Sequence, residues 1–161
     1  MAVSPEENVE QWKAIVAKSK LGAAPTATAM AAFLAERTAR RTLTRTNHPD
    51  GAWHRARPNE PPARGSGTLA KSMFFTPAWS GGLTASAYVG NSADYSRILE
   101  YGCVIQPMNK KFSHWVDSGG SWYHEFLVSP PHPFLAPTVD ESIADGSLRD
   151  AAIEAWTPYD P

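Results

Sequence analysis

Apolar positions along this chain follow two periods. Val9, Trp12 and Val16 recur at helical spacing, and Met30, Phe33 and Leu34 do so again further on. Ser4-Pro5-Glu6-Glu7 opens the first helix: Ser4 caps, Pro5 suits the first helical position, and Glu7 completes a capping box. Gly22 and Pro25 are expected to interrupt it, with a second helix over residues 25–46. On that second helix the apolar face passes into Arg37, Arg40, Arg41 and Arg45, while Ala27, Ala31, Ala35 and Ala39 form a smooth ridge. Its arginine half is thus expected to project beyond the domain. The plainer alternative is that these arginines reach solvent or pair with carboxylates.

A period of two follows. Residues 73–79 and 83–90 read as strands around Ser80-Gly81-Gly82, with Pro77 marking an edge or a strand end. Residues 93–102 then form a short amphipathic piece, with Tyr95, Ile98 and Leu99 on one face and Asp94 at the helix start. It is too short to be stable alone and must be docked by packing. Residues 112–117 and 122–128 form a second hairpin around Ser118-Gly119-Gly120-Ser121, whose register is expected to set His114 opposite Glu125 and Trp115 opposite His124. One face holds Trp115, Trp122, Phe126 and Val128, the other Phe112, Val116, Tyr123 and Leu127. A hairpin apolar on both faces belongs in a core or on another subunit. Thr138-Val139-Asp140-Glu141 reads as a capping box, Asp145-Gly146-Ser147 ends that helix, and a last helix runs to Trp156.

Composition narrows this to one α+β domain over residues 1–161: a small antiparallel sheet with a projecting hairpin, packed by N-terminal and C-terminal helices. Its parts are N-terminal helices over 1–46, a long basic loop over 47–66, sheet, short helix and hairpin arm over 67–135, and C-terminal helices and tail over 136–161. Fourteen prolines imply many fixed turns. The single Cys103 excludes an intramolecular disulfide and a cysteine-rich zinc site. No apolar run is long enough for a membrane span, and the N-terminus lacks a signal sequence, which predicts a soluble protein made in a cytoplasm.

Charge is uneven. Residues 37–64 hold seven arginines against Asp50 and Glu60, a local +5; residues 94–161 hold four basic against ten acidic residues, a local −6. Such halves suit head-to-tail docking, although solvated faces are the commoner explanation. The 47–66 loop carries Arg55, Arg57 and Arg64 beside Trp53, a combination able to touch nucleic acid.

Catalytic signals are sparse. There is no phosphate-binding glycine loop, dinucleotide fingerprint, nucleophile elbow or His-Glu-x-x-His. His114 with Glu125 makes two ligands, which is not a metal site. Cys103 lacks a basic neighbour to activate it and reads as a small hydrophobe. Asp94 and Glu100 fit helix and turn roles better than acid and base. No catalytic residue, metal or cofactor is expected.

The order of the pieces is informative. Gly67-x-Leu69-x-x-Ser72, two strands, Tyr95 with Glu100-Tyr101-Gly102, then Pro133-Phe134-Leu135-x-Pro137 and a C-terminal helix resemble the siphophage head–tail joining or tail-completion proteins, the gene-product-10-like family. The likeness covers about residues 65–143. Ser66 stands where that family commonly has Thr, Ser96 where it has Ala, and Cys103 where it has Thr; the 47–66 loop and the interval from Gly102 to Pro133 are longer than usual.

The resemblance implies a non-catalytic virion protein, assembled in the host cytoplasm into a ring, commonly a hexamer, in the neck. Its implied partners are copies of itself, the adaptor or stopper on the head side, the tail terminator or tube on the tail side, and double-stranded DNA passing without sequence specificity. Tyr95, Glu100, Tyr101, Trp115, Trp122, Tyr123 and Phe126 are then candidate subunit contacts. Arg55, Arg57 and Arg64 are candidate lumen or partner contacts, and Glu100→Ala is expected to harm assembly more than folding. Two alternatives stand beside it: a nucleic-acid-binding module using the arginines of 37–64, and a small metal-dependent hydrolase around His114, Glu125 and Cys103.

Overall fold

The computed structural model describes residues 5–42, 56–64, 66–81, 83–107, 113–117, 120–124 and 126–159. The fold is α+β, with a long N-terminal helix packed on C-terminal helices and on the first of two antiparallel ribbons. The helices are α1 (Pro5–Arg40), α2 (Thr68–Lys71), α3 (Ser96–Tyr101), α4 (Ala136–Ala144) and α5 (Ser147–Trp156). A 3-10 turn, Thr157–Tyr159, follows α5.

The expected break at Gly22 and Pro25 does not occur: α1 is one helix of 36 residues, about 54 Å long. Pro25 cannot donate to the carbonyl of Leu21. Leu21 and Pro25 both lie on exposed surface of α1, so the missing bond falls on its solvent side. Gly22 has a packing purpose instead. A Cβ there would lie 2.7 Å from Cζ3 of Trp156, so the missing side chain is what lets α5 seat its indole on α1.

The two halves of α1 reverse the expectation of which end projects. Residues 6–14 are exposed, whereas Ala31, Leu34, Ala35, Thr38 and Thr42 are buried. The arginine end is held down by carboxylates across from it. Arg37 pairs with Asp145 at 2.6 Å and Arg41 with Glu141 at 2.6 Å, while Arg40 pairs with Glu36 on its own helix. Small side chains fill the buried positions of both helices: Ala31, Ala35 and Thr38 on α1, and Thr138 and Ser142 on α4, which α1 contacts.

The first ribbon joins β1 (Met73–Phe75) to β4 (Val89–Asn91) and β2 (Trp79–Gly81) to β3 (Thr84–Ser86). The register slips between the two pairings. Phe75 faces Val89 and the N–H of Thr76 donates to the carbonyl of Tyr88, but Trp79 then faces Ser86. Pro77 and Ala78 therefore oppose Ala87 alone, a bulge at the one residue unable to donate to a ladder. The N–H of Ala78 donates to Oγ1 of Thr28, fastening the bulge to α1.

The second ribbon pairs β5 (Cys103–Ile105) with β8 (Leu127–Ser129) and β6 (Ser113–Asp117) with β7 (Gly120–His124). Its register differs from expectation. Trp115 faces Trp122 and His114 faces Tyr123, so His114 is not opposite Glu125, which lies outside the described residues. In place of one strand over 122–128, β7 ends at His124 and β8 begins at Leu127, and β8 pairs instead with the stretch leaving α3.

Candidate functional site

Three segments that carry the family resemblance meet in one small core. Leu69 of α2, Ala93 before α3 and Phe134 before α4 are buried together, with Met73, Leu99 and Leu135 packed around them. Asn91 ties the segments by its polar atoms: Nδ2 donates to the carbonyl of Leu69 at 2.7 Å, and Oδ1 accepts the N–H of Ala93 at 2.9 Å. Leu99 docks α3 on this core, since six residues cannot persist as a free helix.

Glu100 sits at the centre of this junction. Its Oε2 accepts the N–H groups of Phe134 at 2.9 Å and Leu135 at 3.0 Å, and its Oε1 accepts that of Ala136 at 2.8 Å. These are the free donors at the start of α4, so a side chain 36 residues away in sequence caps that helix. The capping box expected at Thr138 and Glu141 is not formed. Thr138 lies within α4, its buried hydroxyl donates to the carbonyl of Phe134 at 2.6 Å, and Glu141 binds Arg41. Glu100, placed among the candidate subunit contacts by sequence, is engaged within the chain.

Gly102 closes the junction with φ +70°, and a Cβ there would stand 2.7 Å from the carbonyl oxygen of Ser129. Its N–H donates to the carbonyl of Ile98 at 2.8 Å, which ends α3 and launches β5. The N–H of His132 donates to the carbonyl of Leu99 at 2.6 Å. Of the face formed by Tyr95, Ile98 and Leu99, only Leu99 joins the core; Tyr95 and Ile98 remain exposed. Asp94 does not cap α3, whose N-cap is Tyr95 without a side-chain bond.

Beyond the junction the second ribbon is uncovered among the described residues. Val104 faces Val128 on one side and Ile105 faces Leu127 on the other, and all four are exposed, the first two at 60% and 57%. This ribbon is therefore not the core of the domain. Tyr101, Tyr123 and Phe126 are exposed as well, and Trp115 and Trp122 are register partners on β6 and β7. Beside the ribbon runs a groove of about 500 Å³, bordered by Pro62, Leu99, Leu127, Val128, Pro130 and His132 and by no carboxylate, lysine or arginine.

Part of the basic loop rests against this region. The N–H of Asn59 donates to the carbonyl of Pro131, and the N–H of Arg57 to Oε2 of Glu60. Arg64 is exposed and lies over Gly67, whereas Arg45 and Arg55 fall outside the described residues. Arg37, Arg40 and Arg41, three of the seven arginines of 37–64 that the nucleic-acid alternative would use, are paired with carboxylates within the chain.

The electrostatics of the helix end are local. Asp145 accepts the N–H and hydroxyl of Ser147 and the guanidinium of Arg37, which lowers its carboxyl to about 2. Arg41 likewise lowers Glu141. Among the described residues no three His, Cys, Asp or Glu side chains converge as metal ligands. Cys103 is a half-buried free thiol on β5. No described helix is long and apolar enough to cross a membrane.

Comparisons of the chain with protein-family profiles, with curated proteins and with solved structures give no match.

Proposed function

We propose that this chain is a non-catalytic structural protein of a tailed-phage virion, forming a ring in the connector that joins head to tail. The observation that carries the reading is the Glu100 clamp. The Glu-Tyr-Gly and Pro-Phe-Leu segments, recognised separately in the sequence, are joined by three hydrogen bonds from one carboxylate, with Leu69 of the third segment in the same core. That the three segments pack as one unit supports reading them together as one motif.

Assembly is supported by the uncovered ribbon. A two-stranded ribbon with Val104 and Val128 on one face and Ile105 and Leu127 on the other is poorly suited to remaining solvated. A ring closes by unlike patches meeting, and this ribbon is a candidate for one of them. Electron microscopy of the virion, with this chain labelled, tests the reading. The label is expected at the neck, as a ring. Absence from the particle would overturn it, as would steeply salt-dependent binding of the isolated chain to free DNA as its main interaction.

A further inference from the structure

The turn Ser66-Gly67-Thr68 borders a small polar cavity of about 110 Å³ that the connector reading leaves unused. Separate stretches meet there: Thr42 just past α1, Arg64, the turn itself, and Tyr95 at the start of α3. Among the described residues that line it, Arg64 is the one charged group and none is a carboxylate. The Arg64 guanidinium lies over the turn because Gly67 has no side chain. A Cβ there, at φ +79°, would stand 3.2 Å from Nε and 3.3 Å from Nη2. Thr42 is only 5% exposed, yet among the described residues its hydroxyl has no hydrogen-bond partner, and Arg64 has no carboxylate partner. Oγ of Ser66 and Oγ1 of Thr68 are 2.7 Å apart. One of these hydroxyls donates to the other, and the second keeps its own proton to offer.

We propose that this cavity binds one phosphate-sized oxyanion. A buried hydroxyl without a partner costs stability. An oxyanion supplies the acceptor that Thr42 lacks together with the counter-charge that Arg64 lacks. A guanidinium meets two oxygens of one tetrahedral anion at once, which a chloride ion does not offer. Size limits the ligand as well. Pockets for drug-sized molecules begin at about 300 Å³, so this one suits inorganic phosphate or sulfate and does not enclose a nucleotide. The donors are side chains from separate segments, so the site does not depend on the four-residue α2. A bound anion ties the end of α1 to the turn that leads into the core at Leu69. The site is complete within one chain, so the proposal goes beyond the connector reading and does not rest on it.

Titration of the full chain with inorganic phosphate tests the proposal, followed by NMR at the Arg64 Nε–H and the Gly67 and Thr68 amides, with sodium chloride holding the ionic strength constant. Saturable binding at one site is expected, with a dissociation constant on the order of millimolar, and sulfate should compete. Arg64→Gln and Thr42→Val should each weaken it about tenfold, as loss of a hydrogen bond to a charged group does. Thr42→Val has a second readout: in phosphate-free buffer its melting temperature should equal or exceed that of the wild type, because the lost hydroxyl had no partner. A lowered melting temperature would show that the hydroxyl is satisfied within the chain, and the site would fall. Shifts that never saturate would also overturn the proposal. So would Thr42→Val binding phosphate like the wild type, which would leave an adventitious ion only at a surface arginine. Displacement of phosphate by a short DNA duplex at lower concentration would overturn the assignment to a small anion. None of these outcomes moves the chain into or out of the virion neck, so this proposal and the connector reading fail separately.

Discussion

Glu100 holds the backbone N–H of Phe134 at 2.9 Å, and through its two oxygens the next two amides as well. The carboxylate thereby does for α4 what a local cap ordinarily does. Glu100→Ala should destabilise the monomer by about 2–3 kcal/mol, the range for losing hydrogen bonds to a charged acceptor. Glu100→Gln, which keeps one acceptor, should cost less. Urea denaturation of the monomer checks both. Unchanged stability with assembly lost would restore Glu100 to the subunit boundary.

Gly102→Ala should be more damaging, by about 3 kcal/mol or more, because it combines positive φ with a backbone collision. The Cβ would meet the carbonyl oxygen of Ser129 at 2.7 Å, on the strand paired with β5. Amide exchange should show β5 and β8 losing protection before α1 does.

Gly22→Val should cost about 2 kcal/mol by overpacking, since its Cβ would lie 2.7 Å from the Trp156 ring. In a Trp156→Ala background the same change should cost little. That non-additivity, measured in a double-mutant cycle, distinguishes the packing explanation from a general intolerance of α1 to valine.

Acid should remove the contribution of Asp145 in a defined window. Its carboxyl is lowered in the folded state from 3.8 to about 2, so the stability it supplies is fully present above 3.8 and is lost as pH falls towards 2. The difference in thermal stability between wild type and Asp145→Asn should therefore be constant above 3.8 and shrink below it. Glu141, lowered by Arg41, should behave in the same sense.

Val104→Lys and Val128→Lys should leave monomer stability within about 0.5 kcal/mol, as exposed substitutions do; the connector reading proposed above requires that they also block ring assembly. Loss of monomer stability instead would mean the ribbon is covered within the chain. Thermal melts and co-sedimentation with assembled neck intermediates separate these outcomes.

The sequence by itself determined which stretches are helix and which are strand over much of the chain. Pro5 opens α1, Asp145-Gly146-Ser147 separates α4 from α5, and the period-two run yields the first hairpin, with Pro77 at its irregular point. These signals are local: ring geometry, missing donors and alternation act within a few residues. Tertiary structure alone decided the rest. Whether Pro25 breaks α1 depends on whether water reaches the carbonyl it abandons and on Trp156 seating over Gly22. Which carboxylate caps α4 depends on α3 lying against it, so Thr138 and Glu141, a plausible box by spacing, serve other contacts. The arginines of α1 looked like a projecting face because Asp145 and Glu141 are about a hundred residues away. A charge, a cap or a register is completed by its partner, and spacing along the chain does not say where the partner will be.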